Sequence, residues 1–299
     1  MKGILLINKP SQMTSHDVVN IVRRKLNMKR IGHTGTLDPM VTGVLPICIG
    51  KATRVSEYIM EQGKKYRCVM AFGKSTSTYD SYGEDLAYSD ITDFTKDEIL
   101  EAFRHFTGKI EQIPPIYSAV KINGKKLYDY ARNGKDIEIP SRMVNIYSLD
   151  LISIHGEEVQ FDVHCSKGTY IRTLVNDMGI YLGTLAYMKD LVRTQVGNFN
   201  LADCISIDDF KESSLENISS RLINIEDSLY NLAKLNIDSD VKNRLINGQK
   251  INLNSIDFNL EKNNNNIIDY DNILVLVKDE FIGIGKITEN ILKMERVLS

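Results

Sequence analysis

Asp38 is the residue whose sequence surroundings are best suited to chemistry. It lies in GHTGTLDPMVTGVLPICIGKATR, residues 32–54, after Gly32 and Gly35 and directly before Pro39. Glycine lets a backbone approach a ligand closely, and proline disfavours a helical conformation for the residue before it, so the carboxylate is presented from an extended loop. Apolar neighbours desolvate such a carboxylate, which makes it a stronger base or nucleophile when another group keeps it ionised.

The spacing alone leaves an ordinary turn open as an alternative, since Asp-Pro beside glycines is common in turns. A phosphate-binding P-loop is excluded. Such a loop needs four residues between its glycines and then Lys-Ser/Thr. Six residues separate Gly43 from Gly50, and Cys68 stands where Gly73-Lys74-Ser75 would need its first glycine.

Residues 32–54 resemble the nucleophile motif of the TruB family, the bacterial tRNA pseudouridine-55 synthases. Further segments extend the resemblance: NKPSQMTS at 8–15, CSKGTYIRTLVNDMG at 165–179 and LGTLAYMKDLVRTQVG at 182–197. Gln12 stands where the family usually has glycine, and Val192 where it often has a first arginine.

This resemblance implies isomerisation of uridine to pseudouridine at position 55 in the T loop of tRNA. The base would be flipped out of its stack, its glycosidic bond broken with the help of an aspartate, and the base rejoined through carbon. The chemistry needs no redox partner, ATP, metal or other cofactor. Glycosidases likewise place a carboxylate beside the anomeric carbon.

The resemblance also implies the site. Asp38, Arg172 and Tyr66 would be catalytic, with Arg172 as the ion-pair partner of Asp38. The substrate-binding residues would be His33, Tyr66, Tyr170 and Leu191. Tyr66 would stack on the target base, and His33 would fill the space vacated in the RNA. From its strand pattern alone, Tyr66 would be an aromatic packed on the core.

The resemblance implies an α+β protein, in which a pseudouridine-synthase-like catalytic domain with a mixed, mostly antiparallel central sheet is followed by a small β-rich C-terminal domain. Alternation predicts a strand over Lys65–Phe72, and capping boxes predict helices after Thr14 and Thr95. Strands are predicted at Val144–Ile154 and Val159–Cys165, with a helix from Tyr170. We expect a catalytic domain at 1–231 and a PUA-like RNA-binding domain at 232–299.

Charge distribution permits contact with RNA although the net charge is only −2. Residues 1–75 hold thirteen Lys and Arg against four Asp and Glu, a balance of +9. A basic first quarter of this kind is compatible with phosphate contacts. Segment 113–134 interleaves basic residues with tyrosines and resembles the family's thumb loop, which closes over tRNA. The candidates for RNA contact are Lys9, Lys64, Lys121, Lys125 and Arg132.

The spacing of the cysteines and the hydropathy of the chain limit the class of protein. The four cysteines are scattered, which favours reduced thiols, and no stretch is apolar for long enough to span a membrane. We expect a cytoplasmic monomer that binds the tRNA T arm without an obligate protein partner. Two alternatives stay open: a dyskerin-type synthase that depends on guide RNA, and a tRNA-binding folding factor with little catalysis.

Overall fold

A computed structural model describes residues 1–118, 120–122, 124–132, 137–261 and 269–298. These residues form twenty strands and eight α-helices. The strands are β1 (Gly3–Lys9), β2 (Ile31–His33), β3 (Thr42–Ile49), β4 (Lys64–Phe72), β5 (Lys74–Thr76), β6 (Asp85–Tyr88), β7 (Gly108–Gln112), β8 (Lys121–Ile122), β9 (Lys125–Lys126), β10 (Arg142–His155), β11 (Glu158–Cys165), β12 (Ala186–Val196), β13 (Phe199–Asn200), β14 (Ile205–Ser206), β15 (Lys234–Ile237), β16 (Ile251–Asn252), β17 (Phe258–Leu260), β18 (Tyr270–Val277), β19 (Glu280–Thr288) and β20 (Ile291–Val297). The helices are α1 (Ser15–Leu26), α2 (Ser56–Glu61), α3 (Lys96–Phe106), α4 (Leu127–Arg132), α5 (Ile171–Tyr181), α6 (Ile207–Glu212), α7 (Leu215–Ser220) and α8 (Lys242–Ile246).

A ten-stranded sheet organises the first part of the chain, in the order β14-β1-β3-β12-β4-β11-β10-β7, with β2 beside β3 and β13 beside β12. The pairs β1–β14 and β3–β12 are parallel, and the other pairs of this sheet are antiparallel. The predicted mixed, mostly antiparallel sheet is therefore confirmed. Strands β3, β12 and β4 lie side by side, which brings together three segments that are distant in sequence.

A second, six-stranded sheet in the order β16-β20-β19-β18-β15-β17 forms the β-rich C-terminal part, as expected. It packs on the first part through a shared apolar cluster that includes Leu6, Val55, Leu229, Leu276 and Leu298. Apolar side chains from both parts exclude water together, which holds the two sheets against each other. The domain division at 231/232 stays a prediction, because this cluster crosses it.

The sequence signals for helix starts correspond to real caps. Thr14 and Asp17 form a reciprocal capping box at the start of α1, and Thr95 and Glu98 form another at α3. Gln12, in place of the family's usual glycine, adopts a left-handed backbone with φ of 64°. The entry turn therefore keeps a glycine-like conformation at that residue. Because glutamine has a side chain, this left-handed backbone is less favourable for it than for glycine.

The thumb-like segment expected at 113–134 leaves the sheet after β7. Its described residues form the short hairpin β8–β9 followed by α4. Residues 119, 123, 133 and 134 of this segment lie outside the described residues. Within the described ranges, no helix is long and apolar enough to cross a membrane.

Candidate active site

Asp38 lies in the loop between β2 and β3, and local contacts hold that loop in place. Leu37 and Val41 on either side are buried. The hydroxyl of Ser15 in α1 accepts from the Leu37 N–H at 2.9 Å and donates to the Leu37 carbonyl at 3.2 Å. The carboxylate itself remains 45% exposed. The loop is thus fixed by its backbone while its acidic group faces an open space.

Arg172 is brought to Asp38 from the first turn of α5. Its Nη2 lies 3.0 Å from Asp38 Oδ2, and the arginine side chain is only 6% exposed. Helix α5 packs on the core through its apolar face, which consists of Ile171, Leu174, Val175 and Met178. The structure therefore brings together the two residues that the resemblance pairs.

Three more acceptors fix the orientation of the Arg172 guanidinium. Nη1 donates to the Thr78 carbonyl at 3.1 Å and to Asp80 Oδ2 at 3.3 Å, and Nη2 donates to the Tyr117 carbonyl at 3.0 Å. A planar guanidinium held at both ends cannot rotate without losing several hydrogen bonds. Asp38 therefore faces a cation whose position is set by other residues.

Asp80 is a site residue that the sequence analysis did not identify. It is 9% exposed and lies after β5. Its Oδ1 accepts from the Thr78 hydroxyl at 2.6 Å and from the Tyr82 N–H at 3.0 Å, which leaves Oδ2 for Arg172. Its segment is a polar run whose pattern is that of an ordinary loop, so no local signal distinguished this aspartate.

Two cavities meet at the ion pair. A larger one, of about 260 Å³, is lined by both partners together with Asp80, Tyr82, Tyr117 and Leu191, among others. A smaller one, of about 100 Å³, lies against Tyr66 and Tyr170 and also reaches Asp38, Arg172 and Leu191. The expected pocket residues Tyr66, Tyr170 and Leu191 thus surround the same carboxylate.

Tyr66 projects from β4 toward the smaller cavity, opposite Arg193 on β12. Burial raises the pKa of Tyr66, and the nearby positive charge of Arg193 opposes this rise. Tyr66 therefore stays neutral at ordinary pH.

Tyr170 occupies the position just before α5, and the buried Gln112 holds its backbone. Gln112 Nε2 donates to the Tyr170 carbonyl at 3.1 Å, and its Oε1 accepts from the Tyr170 N–H at 3.0 Å. The guanidinium of Arg142 lies 4.7 Å from the centre of the Tyr170 ring, a cation–π contact. The start of α5, which carries Arg172, is therefore anchored to β7 and β10.

Two of the lysines expected to contact RNA are buried instead. The Lys9 ammonium donates to the carbonyls of Pro10 at 2.8 Å, Met13 at 2.7 Å and Pro39 at 2.9 Å, and the residue is 0% exposed. Burial lowers the pKa of Lys9 to about 8. The assignment of Lys9 as a phosphate contact is wrong because its ammonium group is enclosed by carbonyls; it anchors the loop that carries Asp38.

Lys64, the second of these lysines, lies at the start of β4. It is 7% exposed and donates to the carbonyls of Met60 and Gln62 at the end of α2. Burial lowers its pKa to about 8. Its expected phosphate contact is contradicted for the same reason. Lys125 is exposed on the β8–β9 hairpin, whereas the side chains of Lys121 and Arg132 lie outside the described residues.

His33 ends β2 beside the loop that carries Asp38 but lines neither of the two cavities. Burial, helped by the nearby charges of Arg193 and His16, lowers the pKa of His33. Its Nδ1 is buried and has no hydrogen-bond partner among the described residues. The imidazole is therefore neutral, and its expected insertion into RNA stays a prediction.

Comparisons with known proteins place this site in a family. Residues 23–171 match the model of the TruB family pseudouridylate synthase N-terminal domain, and residues 172–229 match the tRNA pseudouridylate synthase B C-terminal domain. The chain is 45% identical, over 95% of its length and 93% of the relative's, to tRNA pseudouridine synthase B of Alkaliphilus oremlandii. The chain belongs to the TruB family of pseudouridine synthases. The resemblance seen in its motifs is thereby confirmed.

Further TruB relatives and solved structures agree. The protein of the same name from Geobacillus thermodenitrificans is 47% identical over 85% of this chain and 86% of its own. Among solved structures, a Cbf5-Nop10-Gar1 complex matches with a TM-score of 0.78 at 27% identity, covering 99% of this chain and 85% of the other. An H/ACA RNP bound to a substrate RNA containing 2′-deoxyuridine matches with a TM-score of 0.74 at 26% identity, covering 99% and 85%. The expected pseudouridine-synthase fold is confirmed.

Proposed function

We propose that this TruB-family chain isomerises uridine 55 in the T loop of tRNA to pseudouridine. The observation that carries the proposal is the Asp38–Arg172 pair, at 3.0 Å, where two cavities meet. Relatives named tRNA pseudouridine synthase B support the tRNA substrate at 45–47% identity over most of the chain. Position 55 and the T loop come from the motif resemblance.

The reaction breaks the C1′–N1 glycosidic bond, turns the uracil ring and forms a C1′–C5 bond, after which C5 loses its proton to solvent and N1 gains one. Atoms and electrons balance within the nucleotide, so the isomerisation consumes no redox equivalent and no high-energy phosphate. Asp38 is the group that we assign to the reacting ribose or base. The Arg172 guanidinium lies 3.0 Å from this carboxylate and fixes its orientation, and a fixed carboxylate can act as a nucleophile or base.

Access to the target requires the uridine to leave its stack, because the reacting atoms are shielded in a folded stem-loop. We assign the flipped base to the space between Tyr66, Leu191 and Arg172, with Tyr66 stacking on the ring. Tyr170 closes the same space from the start of α5. His33 then takes the place vacated in the RNA, as the family resemblance implies.

Binding of the T arm would be shared among exposed cations and the thumb-like segment. Arg24, Lys29 and Lys125 are exposed, whereas the buried Lys9 and Lys64 take no part. Phosphate contacts of this kind position a nucleic acid without reading its bases. We propose a monomer without an obligate protein partner that acts in the cytoplasm.

Lower sequence identity disfavours the dyskerin-type alternative. Solved structures of Cbf5 and H/ACA RNP complexes are 25–27% identical to the chain, against 45–47% for relatives named tRNA pseudouridine synthase B. The folding-factor alternative is disfavoured by the Asp38–Arg172 pair, since binding alone needs no buried cation beside a carboxylate.

Purified chain alone, incubated with an unmodified tRNA transcript carrying tritium at C5 of uridine, tests the proposal. Release of about one tritium per tRNA, with pseudouridine mapped to position 55, is the expected result. Activity that requires a guide RNA or added protein would support the dyskerin-type alternative. Tight binding with no tritium release would support the folding factor. A transcript with cytidine at position 55 is the matched control.

A further inference from the structure

The larger of the two cavities has a lining for which the proposed function does not account. It shares Asp38, Val41, Arg172 and Leu191 with the smaller cavity, and every other lining residue of the two cavities differs. The proposed function places the flipped uracil beside Tyr66, which lines only the smaller cavity. The larger cavity, of about 260 Å³, is therefore left for another part of the RNA.

Tyr82 lines this larger cavity although the residue is 63% exposed. Its ring and its hydroxyl have no hydrogen-bond or aromatic partner among the residues that the structure describes. An aromatic ring left in water forgoes the stabilisation that burial in the core would give it. Packing within the described chain therefore does not explain this ring, which is available to a ligand in the cavity.

The turn that carries Tyr82 is fixed through its backbone. Asp80 Oδ1 accepts from the Tyr82 N–H at 3.0 Å, and the Ser81 N–H donates to the Met188 carbonyl at 3.0 Å. The other oxygen of Asp80 accepts from Arg172 Nη1 at 3.3 Å. One carboxylate thus positions both the exposed ring and the guanidinium that faces Asp38, so the ring is presented at a set place beside the reacting group.

The charge of the surrounding segment determines which part of an RNA the ring can contact. Residues 77–93 hold five Asp and Glu and no Lys or Arg. Like charges repel, so this segment disfavours a phosphate beside it. Stacking of a base on an aromatic ring needs no positive charge, because every base has a π-face. A nucleobase is therefore the part of the RNA that suits Tyr82.

We propose that Tyr82 is a substrate-contacting residue whose ring stacks on the nucleobase directly adjoining the target uridine, on its 5′ or its 3′ side. The inference rests on the proposed function, because it takes the uridine as the nucleotide beside Asp38. The adjoining nucleotide is joined to that uridine by a single phosphodiester, so its base lies within reach of the larger cavity, which begins at Asp38. Stacking there would hold the loop strand splayed while the uracil reacts.

Two abasic tRNAs test the inference, each ligated from a transcript and a synthetic 3′ piece that lacks the base at position 54 or at position 56. The Kd is measured in the Asp38→Asn background, which is expected to bind tRNA without converting it. Tyr82→Ala should raise the Kd for intact tRNA by about fivefold to thirtyfold, the size of a base–aromatic stack. Tyr82→Phe keeps the ring and should bind like the parent. On the abasic tRNA that lacks the stacking base, Tyr82→Ala should have no effect.

Tyr88→Ala is the matched control. Tyr88 lies on β6 of the same hairpin, is 74% exposed and lines neither cavity. Its replacement should leave the Kd unchanged on all three tRNAs. A loss equal to that of Tyr82→Ala would show a general contact of the hairpin surface and would overturn the inference.

The remaining outcomes separate stacking on the adjoining base from other roles. An unchanged Kd for Tyr82→Ala overturns the inference, and so does an equal loss on all three tRNAs, because the ring then contacts something else. A loss in Tyr82→Phe as large as in Tyr82→Ala assigns the contact to the hydroxyl and overturns it too. Should Tyr82→Ala fail to fold, judged by its melting temperature, Tyr82→Leu takes its place in the same comparison. Pseudouridine formation by the wild type is assayed separately: an inactive wild type overturns the proposed function, whereas an active one with no effect at Tyr82 overturns only this inference.

Discussion

Arg172 and Asp38 form an ion pair whose two members differ in exposure. The arginine side chain is 6% exposed and the aspartate 45%, with 3.0 Å between Nη2 and Oδ2. The buried partner is fixed by Asp80 and by two backbone carbonyls, whereas the exposed partner faces the cavities. This asymmetry leaves the carboxylate free to meet a substrate while its counter-ion stays in place.

Replacing Arg172 with lysine should therefore be severe. Lysine keeps the charge but presents one ammonium in place of a planar fork, so it cannot reach both carboxylates and both carbonyls. We expect kcat to fall by about a hundredfold or more, the size seen when a fixed charge-stabilising donor is removed. Single-turnover tritium release measures this, with the exposed Arg244→Lys as control. A fully active Arg172→Lys enzyme would remove the assigned role.

Asp80→Asn should lower kcat by about tenfold with little change in KM. Asparagine keeps the shape of the side chain but removes the negative charge that pairs with Arg172 Nη1. The measurement is a steady-state comparison with Asp85→Asn, whose carboxylate pairs with Lys74 at the surface. Equal rates for wild type and Asp80→Asn would show that Arg172 needs no second carboxylate.

Lys9→Met should destabilise the protein, because it leaves the carbonyls of Pro10, Met13 and Pro39 without their donor. The cost near neutral pH should be about 2–4 kcal/mol. Exposed Lys109→Met is the control in urea unfolding.

The same variant has a predicted pH dependence. Burial lowers the pKa of Lys9 to about 8, below its ordinary value of 10.5. Between these values the unfolded chain binds the proton that the native state has released, so this residue's contribution to stability rises with pH. The difference in unfolding free energy between wild type and Lys9→Met should therefore grow from pH 7 to pH 10. A difference that shrinks over this range would contradict the buried ammonium.

We expect the T arm of tRNA to be a sufficient substrate by itself. RNA is recognised chiefly by shape and by unstacked loop bases, so an isolated T-arm hairpin should be modified within about tenfold of full tRNA, or about 1.4 kcal/mol. Binding should weaken steeply with salt as counterions are released. An inert hairpin beside an active full tRNA would mean that recognition lies elsewhere on the tRNA.

Periodicity and capping predicted much of the fold. Alternation predicted β4, and capping boxes predicted α1 and α3, since these signals act between near neighbours in sequence. The order of strands in the sheet could not be derived in this way, because β3, β12 and β4 meet only in the tertiary structure.

The site was predictable where a motif carried it and not elsewhere. The local sequence singled out Asp38, and the family resemblance supplied its catalytic role and its pairing with Arg172. Asp80 escaped notice because its partner Arg172 lies in another element. Lys9 and Lys64 were misassigned because lysine is usually exposed, and only the folded chain shows the carbonyls that enclose these two ammonium groups.

The most direct test of the account is single-turnover pseudouridine formation by Asp38→Asn on tRNA transcript, with tRNA affinity measured on the same preparation. Asparagine keeps the size of the side chain but cannot act as a nucleophile or base. We predict no detectable pseudouridine at position 55, and affinity within about threefold of wild type because binding is spread over many phosphate and shape contacts. Pseudouridine formed by purified Asp38→Asn at a rate near that of wild type would contradict the central assignment.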